Sequence, residues 1–529
     1  MRGEETTRWL LRDVRLELER HDEDPRLVAA GVLGVVPGRI LGAEVVRRSV
    51  DARRGRPRLV FSLRVELAGG LDDPPAGVGP EPPASELPPP PRPGRQVEVV
   101  IVGAGPAGLF AARRLAEAGL RPLLVDRGRD ISERGRDVAA LMRAGRLDED
   151  SNFHFGLGGA GAFSDGKLFT RVRGSQVRHV LEVLQRHGAG SRDEILVDAH
   201  PHVGTDRWPR VLDSLRRDLE QLGVRWQLQC RVVGLEVKQG RVTGVRTKDG
   251  VIAAEAALLA CGNSARELFA ALTGAGVALE PKPFSVGLRL VHPQEVIDRI
   301  QYGRWAGHPA LGPASYRLTA RVGGRGVYSF CMCPGGVVVP TATEPGGLAI
   351  NGMSNHARSS GWANAGLVVT VVPADFPGGG PLAGVEFQRR LERAAHDAGG
   401  GGFAAPAQRL GDFLHERPSR RLPEIPYRPG IQPADLGALF PPALAGALRR
   451  GLGDLCRRVR GFDHPRAVLL GVETRTSSPV RVPRQPDGQA RGIAGLFPAG
   501  EGCGHAGGIT SSAVDGIRQA DALLAWSGR

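Results

Sequence analysis

The chain has 529 residues, with 70 Lys plus Arg against 56 Asp plus Glu, a formal net charge of +14 and six cysteines. That length suggests about three domains of roughly 150 residues each, and it excludes a miniature scaffold held together by disulfides. Gly (75) and Pro (41) are about twice as frequent as usual, yet 41% of the residues are apolar, so a globular chain with loop-rich tracts is expected.

Only Lys167, Lys238, Lys248 and Lys282 are lysines, so the basic excess is almost wholly arginine and reads as compositional bias more than as a nucleic-acid footprint. The opening MRGEETTRWLLRD has no apolar signal core, and no stretch offers about 20 uninterrupted apolar residues. A cytoplasmic chain without a membrane span is the expectation. Cys230, Cys261, Cys331, Cys333, Cys456 and Cys503 form no CxxC framework, in keeping with a reducing compartment.

Residues 9–17 and 58–67 alternate as strands around a helical stretch from Pro25 to Val35, which predicts a small α+β unit over residues 1–68. Up to Arg95 the chain carries 16 Arg and 15 acidic residues, so the basic excess lies further on. Ten prolines between Pro74 and Pro93 favour extended polyproline geometry and mark residues 69–95 as a linker. Val97 to Val102 then reads as a buried strand, followed by a glycine turn, a helix from Gly105 to Ala118 and a second apolar run from Pro122 to Val125. Further helices are expected at Ser175 to His187 and Trp208 to Leu222, strands at Val242 to Thr247 and Ala256 to Ala260, and Pro- and Gly-rich loops from about Pro373 to Gly402.

The first turn reads Gly103-Ala-Gly105-Pro106-Ala107-Gly108, and Asp126-Arg127 closes the second strand. Gly103 permits the tight turn, Gly105 the approach of backbone N–H groups to a pyrophosphate, and Gly108 close packing of helix on strand. The helix N-terminus faces that anion, and Asp126 accepts from ribose hydroxyls. This motif serves FAD and NAD alike. The far end discriminates: a short strand runs into Gly500-Glu501, and the turn Gly507-Gly508-Ile509 opens a helix. An acid there binds ribitol hydroxyls, and the helix aims its positive end at the flavin N1–C2=O region. The segment ending in Cys261-Gly262 supplies the middle piece behind the cofactor. The expected fold class is α/β: a glutathione-reductase-like FAD-binding Rossmann fold split by an inserted substrate domain, plus the small N-terminal α+β domain. The first FAD part spans 96–276, the insertion 277–461 and the second FAD part 462–529. No second GxGxxG follows a strand, so NAD(P)H as donor would enter an open cleft transiently; the CxxxxC of pyridine-disulfide enzymes is absent.

Longer stretches carry a family resemblance: Ser49-Val-Asp51-Ala-Arg53, Phe155 to Lys167 (FGLGGAGAFSDGK), Pro201-His202-Val-Gly204-Thr-Asp206, Phe330-Cys331-Met-Cys333-Pro-Gly335-Gly336, Asn351-Gly352-Met-Ser, and Gly471-Val-Glu473-Thr-Arg475-Thr-Ser-Ser478-Pro479-Val. In these the chain resembles the largely uncharacterised bacterial family of FAD-dependent dehydrogenases, also called NAD(P)/FAD-dependent oxidoreductases or NAD-utilising dehydrogenases. The resemblance implies bound FAD, a Rossmann-type domain split by an inserted substrate domain, and oxidoreductase chemistry without naming a substrate. The chain departs from the family pattern at His200, Val291, Cys503 and His505.

The glycine-rich loop through Gly161 leads to Ser164, Asp165 and Lys167, about 50 residues after the pyrophosphate turn, where related folds bring a loop against the isoalloxazine. Lys167 reads either as a cation for reduced flavin or an anionic substrate, or as a solvated lysine. His505, near the Gly507 turn, reads as an acid or base or as a plain loop histidine. His202, and Arg475 with Glu473, are cleft candidates, the latter two also an ordinary ion pair. Cys331 and Cys333 fall on one face of a strand and read by default as small buried residues, with a metal or a redox-thiol role as the rivals. No second pair has metal spacing, so no metal is expected. The function expected is an FAD-dependent oxidoreductase with hydride transfer at flavin N5 on a small molecule held in the cleft, with an electron-transfer partner left open. The rivals are an RNA-modifying flavoprotein and a flavin-binding regulatory protein without turnover.

Overall fold

The computed structural model describes residues 6–53, 56–83 and 86–528. The others lie outside the described residues: 1–5 and 54–55 of the expected N-terminal unit, 84–85 of the expected linker and 529 of the expected second FAD part.

Val99–Val102 is apolar at every position because both faces of its sheet are covered. Val99 and Ile101 pack with the helices Pro106–Glu117 and Ile509–Ser527. Val100 and Val102 pack with an antiparallel meander of Val232–Lys238, Arg241–Thr247 and Gly250–Ala253. The sheet is parallel, in the order Leu496–Pro498, Ala256–Leu259, Val99–Val102, Leu123–Val125, Arg225–Gln227. The strand nearest the C-terminus therefore sits two places from the first, with Phe497 beside Leu258 and Leu258 beside Ile101.

Between these halves stands a seven-stranded sheet in the order Thr319–Val322, Arg325–Cys333, Trp362–Val371, Phe284–Pro293, Val468–Glu473, Ala405–Arg409, Ile431–Pro433. All its pairings are antiparallel except the last. Phe284–Pro293 is buried along its whole length, as a central strand with both faces covered must be. Val468–Glu473 pairs directly with it, so the insertion extends past the expected boundary at residue 461. Its apolar run VLLGVE reads equally well as a Rossmann strand, and only the pairing tells the two apart.

The N-terminal unit is a four-stranded antiparallel sheet in the order Ile40–Asp51, Arg58–Ala68, Thr6–Glu17, Val78–Pro80, with the helix Pro25–Leu33 against it. Two expectations need correction. Val78–Pro80 lies inside the stretch expected as linker and pairs with Trp9–Leu11 as the edge strand of the sheet, a place where a proline is tolerated. The loops expected from Pro373 to Gly402 enclose a helix, Ala383–Ala398, whose Val385, Phe387, Leu391 and Ala395 supply an apolar stripe between glycine-rich ends. The unit is tied to the FAD part by the Arg48–Asp198 ion pair (2.8 Å) and the Ala199 N–H donating to Arg48 O (2.8 Å).

Candidate active site

The glycine turn after Val99–Val102 is shaped by backbone contact. A Cβ on Gly103, whose φ is +109°, would stand 2.3 Å from the Ala260 carbonyl oxygen, and one on Gly108 would stand 1.9 Å from the Gly103 oxygen. Gly105 caps the helix, with Pro106 in its first turn, and the nearest atom to its missing Cβ is 3.8 Å away, which leaves room for a pyrophosphate. Asp126 holds this turn in place. Its Oδ2 accepts from the Ala104 N–H (2.8 Å), and its Oδ1 accepts from Gly128 and Gly156 (2.9 Å each), tying the turn to the second strand and to the glycine-rich loop. Oδ2 keeps a lone pair for a ribose hydroxyl. Asp126, Arg127, Phe155, Cys261 and Glu267 line a pocket beside it. The Arg127 guanidinium stacks 4.0 Å above Phe155 and pairs with Asp150 and Glu267.

The C-terminal segment closes on the same turn. A Cβ on Gly500 would lie 2.8 Å from Ala107 Cβ, one on Gly516 would lie 2.1 Å from the Ala107 oxygen, and one on Gly502 would lie 2.3 Å from the Gly262 oxygen. These approaches, available only to glycine, bring Gly103–Gly108, Cys261–Gly262 and Gly500–Gly508 to one side of the parallel sheet. Asn263 Nδ2 donates to Glu501 Oε1 (2.7 Å), and burial pushes the Glu501 carboxyl up to about 7 despite that bond and the Lys282 charge. Asp515 accepts from the Gly500 N–H (2.7 Å) and pairs with Arg484. The glycine-rich loop completes the wall: the Gly158 N–H donates to Ala104 O (2.9 Å), and Gly161 lies against Ile509 and Pro106. An open pyrophosphate cradle, an acid at the end of the second strand, an acid at the end of the last strand and a helix opened by Gly507-Gly508-Ile509 together fit FAD along its length.

Across the cleft stands the seven-stranded sheet. A cavity of about 320 Å³ is walled by Phe284, Ser285, Tyr328 and Phe330 of that sheet and by Thr476, Ser477 and Gly507 of the returning chain. Beside it lie the groups that the sequence only hinted at. Lys167 Nζ contacts Asp165 Oδ2 (3.0 Å) and Cys333 Sγ (3.8 Å), while Asp165 also binds Arg358 (2.8 Å) and the Ser354 hydroxyl. Burial opposes the ammonium charge, but Cys333, Cys331 and Asp165 hold it above its ordinary value. Arg289 is fully buried and forks onto Glu473 (2.6 and 2.8 Å), with further bonds to Asn364 Oδ1 (2.7 Å) and Asn351 Oδ1 (2.9 Å).

The other expected residues are held by neighbours of their own, and His202 pairs by a backbone bridge with Lys167. His505 Nε2 donates to the Val482 carbonyl (2.9 Å), and burial with the Arg484 charge lowers its pKa, so the ring is a neutral imidazole tied to the backbone. His202 Nε2 donates to His356 O (3.1 Å), and the two rings stack 5.0 Å apart. Arg475 pairs with Glu392 (3.0 Å), whereas Glu473 is taken by Arg289: the partner of each was invisible from the adjacent positions in sequence. The Cys331–Cys333 stretch is not a regular strand, since the register with Trp362–Val371 shifts between Phe330 and Cys333 and Cys331 has φ +43°. Sequence reasoning passed over His154, which is half-buried with Nδ1 3.1 Å from the Ser264 hydroxyl; Ser264 in turn donates to Asn263 and accepts from Arg475. Its one signal was its place just before the glycine-rich loop. Among the described residues no cluster of His, Cys, Asp and Glu suits a metal ion, and no helix is long and apolar enough to cross a membrane.

Comparison with known proteins agrees with this geometry. The chain matches family models for an FAD binding domain at residues 96–145, an FAD dependent oxidoreductase at 199–325, and an FAD-dependent protein, C-terminal domain-like, at 283–476. The last match ends just beyond Val468–Glu473, as the sheet requires. A Clostridium beijerinckii protein described as "Uncharacterized protein" is 43% identical over 429 residues, covering 80% of each chain. Among solved structures, a geranylgeranyl bacteriochlorophyll reductase-like protein of Thermoplasma acidophilum is 13% identical over 82% of this chain and 78% of its own, with a TM-score of 0.34. Glycine oxidase of Bacillus cereus is 12% identical over 81% and 95%, with a TM-score of 0.29. The chain belongs, with its clostridial relative, to the family of FAD-dependent oxidoreductases that carry this C-terminal domain, and FAD is its cofactor.

Proposed function

We propose that this protein is an enzyme that passes a hydride between a small-molecule substrate and the N5 position of its flavin. The observation that carries the reading is the cavity of about 320 Å³ between the inserted sheet and the Gly507 turn, apolar on the Phe284 and Phe330 side and hydroxyl-bearing at Ser285, Tyr328, Thr476 and Ser477. Bound FAD supplies the two-electron chemistry there. The chain supplies shape and charge. Ser285 Oγ and Tyr328 Oη lie 2.6 Å apart, so each fixes the other and one hydroxyl proton stays available to a substrate oxygen. Glu501, pushed up to about 7, holds a proton over much of the neutral range through burial. Phe284 and Phe330 make one wall apolar.

The described residues form one parallel Rossmann sheet, which supports a donor or substrate that enters the cleft transiently. The test is anaerobic. FAD-loaded protein is mixed with NADH, NADPH and a panel of hydroxy and amino acids while the flavin absorbance near 450 nm is followed. Saturable bleaching by one compound supports the reading, and it should slow more than about tenfold in Phe330→Trp, which fills the cavity. Bleaching by dithionite alone across a broad panel, with binding of none, refutes it.

A further inference from the structure

The Phe330-Cys331-Met332-Cys333 segment spends stability on an unusual local shape. A regular strand holds residues two apart at about 6.6 Å, close to the upper limit for a disulfide. Here the strand leaves register with Trp362–Val371 and Cys331 adopts φ +43°, a left-handed conformation that a non-glycine residue rarely takes. The two thiols lie within hydrogen-bonding reach of each other. Cys333 Sγ donates to the Cys331 carbonyl (3.4 Å), and Arg289 Nη1 donates to the same oxygen (3.4 Å). A hydrogen bond from Cys333 holds the Cys331 thiol well below its ordinary value, aided by the Lys167 and Arg289 charges.

Their surroundings are those of a working thiol pair. The Lys167 ammonium stands 3.8 Å from Cys333 Sγ in a chain with only four lysines. Cys331 is half-buried, and its neighbour Phe330 lines the same cavity as Gly507, the turn that opens onto the flavin side. The other close pair, Cys261 with Cys503, has no such setting: their mutual hydrogen bond and burial push Cys261 well above its ordinary value, and Cys503 Sγ is spent on the Leu259 carbonyl (3.2 Å).

We propose that Cys331 and Cys333 are a redox-active dithiol that exchanges two electrons with the flavin through a reversible Cys331–Cys333 disulfide. This rests on the flavin chemistry proposed above and deepens it, because it makes a dithiol the class of compound that delivers electrons to the cleft. The step balances. The Cys331 thiolate and the Cys333 thiol form one Sγ–Sγ bond, losing two electrons and the single thiol proton, and both electrons and that proton pass to the oxidised flavin with no change in total charge. An external dithiol then reopens the disulfide by exchange at Cys331, ending as a disulfide itself. Lys167 is a positioning residue that favours the reduced pair by stabilising its thiolate.

The test uses FAD-loaded, air-oxidised protein. It is titrated anaerobically with dithionite while flavin absorbance is followed; parallel samples are acid-quenched, alkylated with N-ethylmaleimide in denaturant, and the peptide spanning residues 326–358 is weighed. The expected result is four electrons per flavin, with the peptide changing from no adducts to two, against two electrons per flavin in C331S and in C333S. Lys167→Met should raise the ratio of reduced to oxidised dithiothreitol needed at half-reduction by about tenfold or more. Loaded wild-type protein that takes up two electrons, with both cysteines alkylated from the outset, overturns this proposal alone. A chain that cannot be loaded with FAD overturns the flavin reading and this one with it. The peptide mass needs no variant, so a misfolded substitution does not shield the proposal.

Discussion

Asp126→Asn is the most direct perturbation of the flavin cradle. The wild-type carboxylate accepts three backbone N–H groups, from Ala104 at 2.8 Å and from Gly128 and Gly156 at 2.9 Å. An amide keeps one acceptor. With its oxygen toward Gly128 and Gly156, its NH2 meets the Ala104 N–H donor to donor, and one charge-assisted bond of about 1.5–3 kcal/mol is lost. The other two fall from charge-assisted to neutral strength, about half. The sum is about 3–5 kcal/mol, which for a unit of this size lowers the melting transition by roughly 6–20 °C. Because Ala104 lies inside the pyrophosphate turn, FAD affinity should fall more than about tenfold as well. The assay is thermal melting of the apoprotein, followed by FAD titration and desalting of the loaded form. A transition within about 2 °C of wild type, together with unchanged FAD retention, would mean that Asp126 does not hold the turn and would refute this account of the cradle.

Glu501 gives a pH signature. Its carboxyl, raised from an ordinary 4.5 to about 7, is protonated in the folded apoprotein where the unfolded chain is ionised. That contribution is fully present below about pH 4.5 and is lost as pH rises to about 7; Glu501→Gln should remove this pH dependence, so that the wild-type-minus-variant melting difference falls as pH rises across the window, and a difference that does not vary with pH counts against the burial assignment. Glu473→Gln strands the buried Arg289 charge and should cost about 3–5 kcal/mol in urea unfolding, whereas Arg289→Leu with Glu473→Leu should recover most of it; equal losses in both would show that packing, not charge, governs the site. Gly516→Ala places a Cβ 2.1 Å from the Ala107 oxygen and should cost FAD retention and about 1–3 kcal/mol, while Gly135→Ala, with nothing within 4 Å in its helix, should stabilise by about 0.5–1 kcal/mol. The two melts side by side check that the glycine effect is contact rather than propensity.

The cofactor cradle was legible because its determinants are local. Gly103, Gly105 and Gly108 act within one turn, Asp126 closes the next strand, and Glu501 with Gly507-Gly508 repeats the logic at the far end. Each signal spans a few residues, and backbone sterics fix its meaning. Helices such as Trp208–Gln221 were legible for a similar reason, since five buried apolar residues recur at helical spacing. Val468–Glu473 was not legible: a fully buried strand has no alternation to show which sheet it joins.

The sequence by itself determined that the chain is an FAD-dependent oxidoreductase with a Rossmann-like fold and two glycine-bearing turns far apart along it. Tertiary structure alone decided which polar groups meet in the cleft. Lys167 reaches Cys333, and Arg289 reaches Glu473, across long loops of chain. Such pairings depend on sheet order and strand register, which are set by how whole surfaces bury their apolar faces and leave no mark at either residue. The left-handed turn at Cys331 is of the same kind: the residue does not favour it, and the surrounding sheet imposes it.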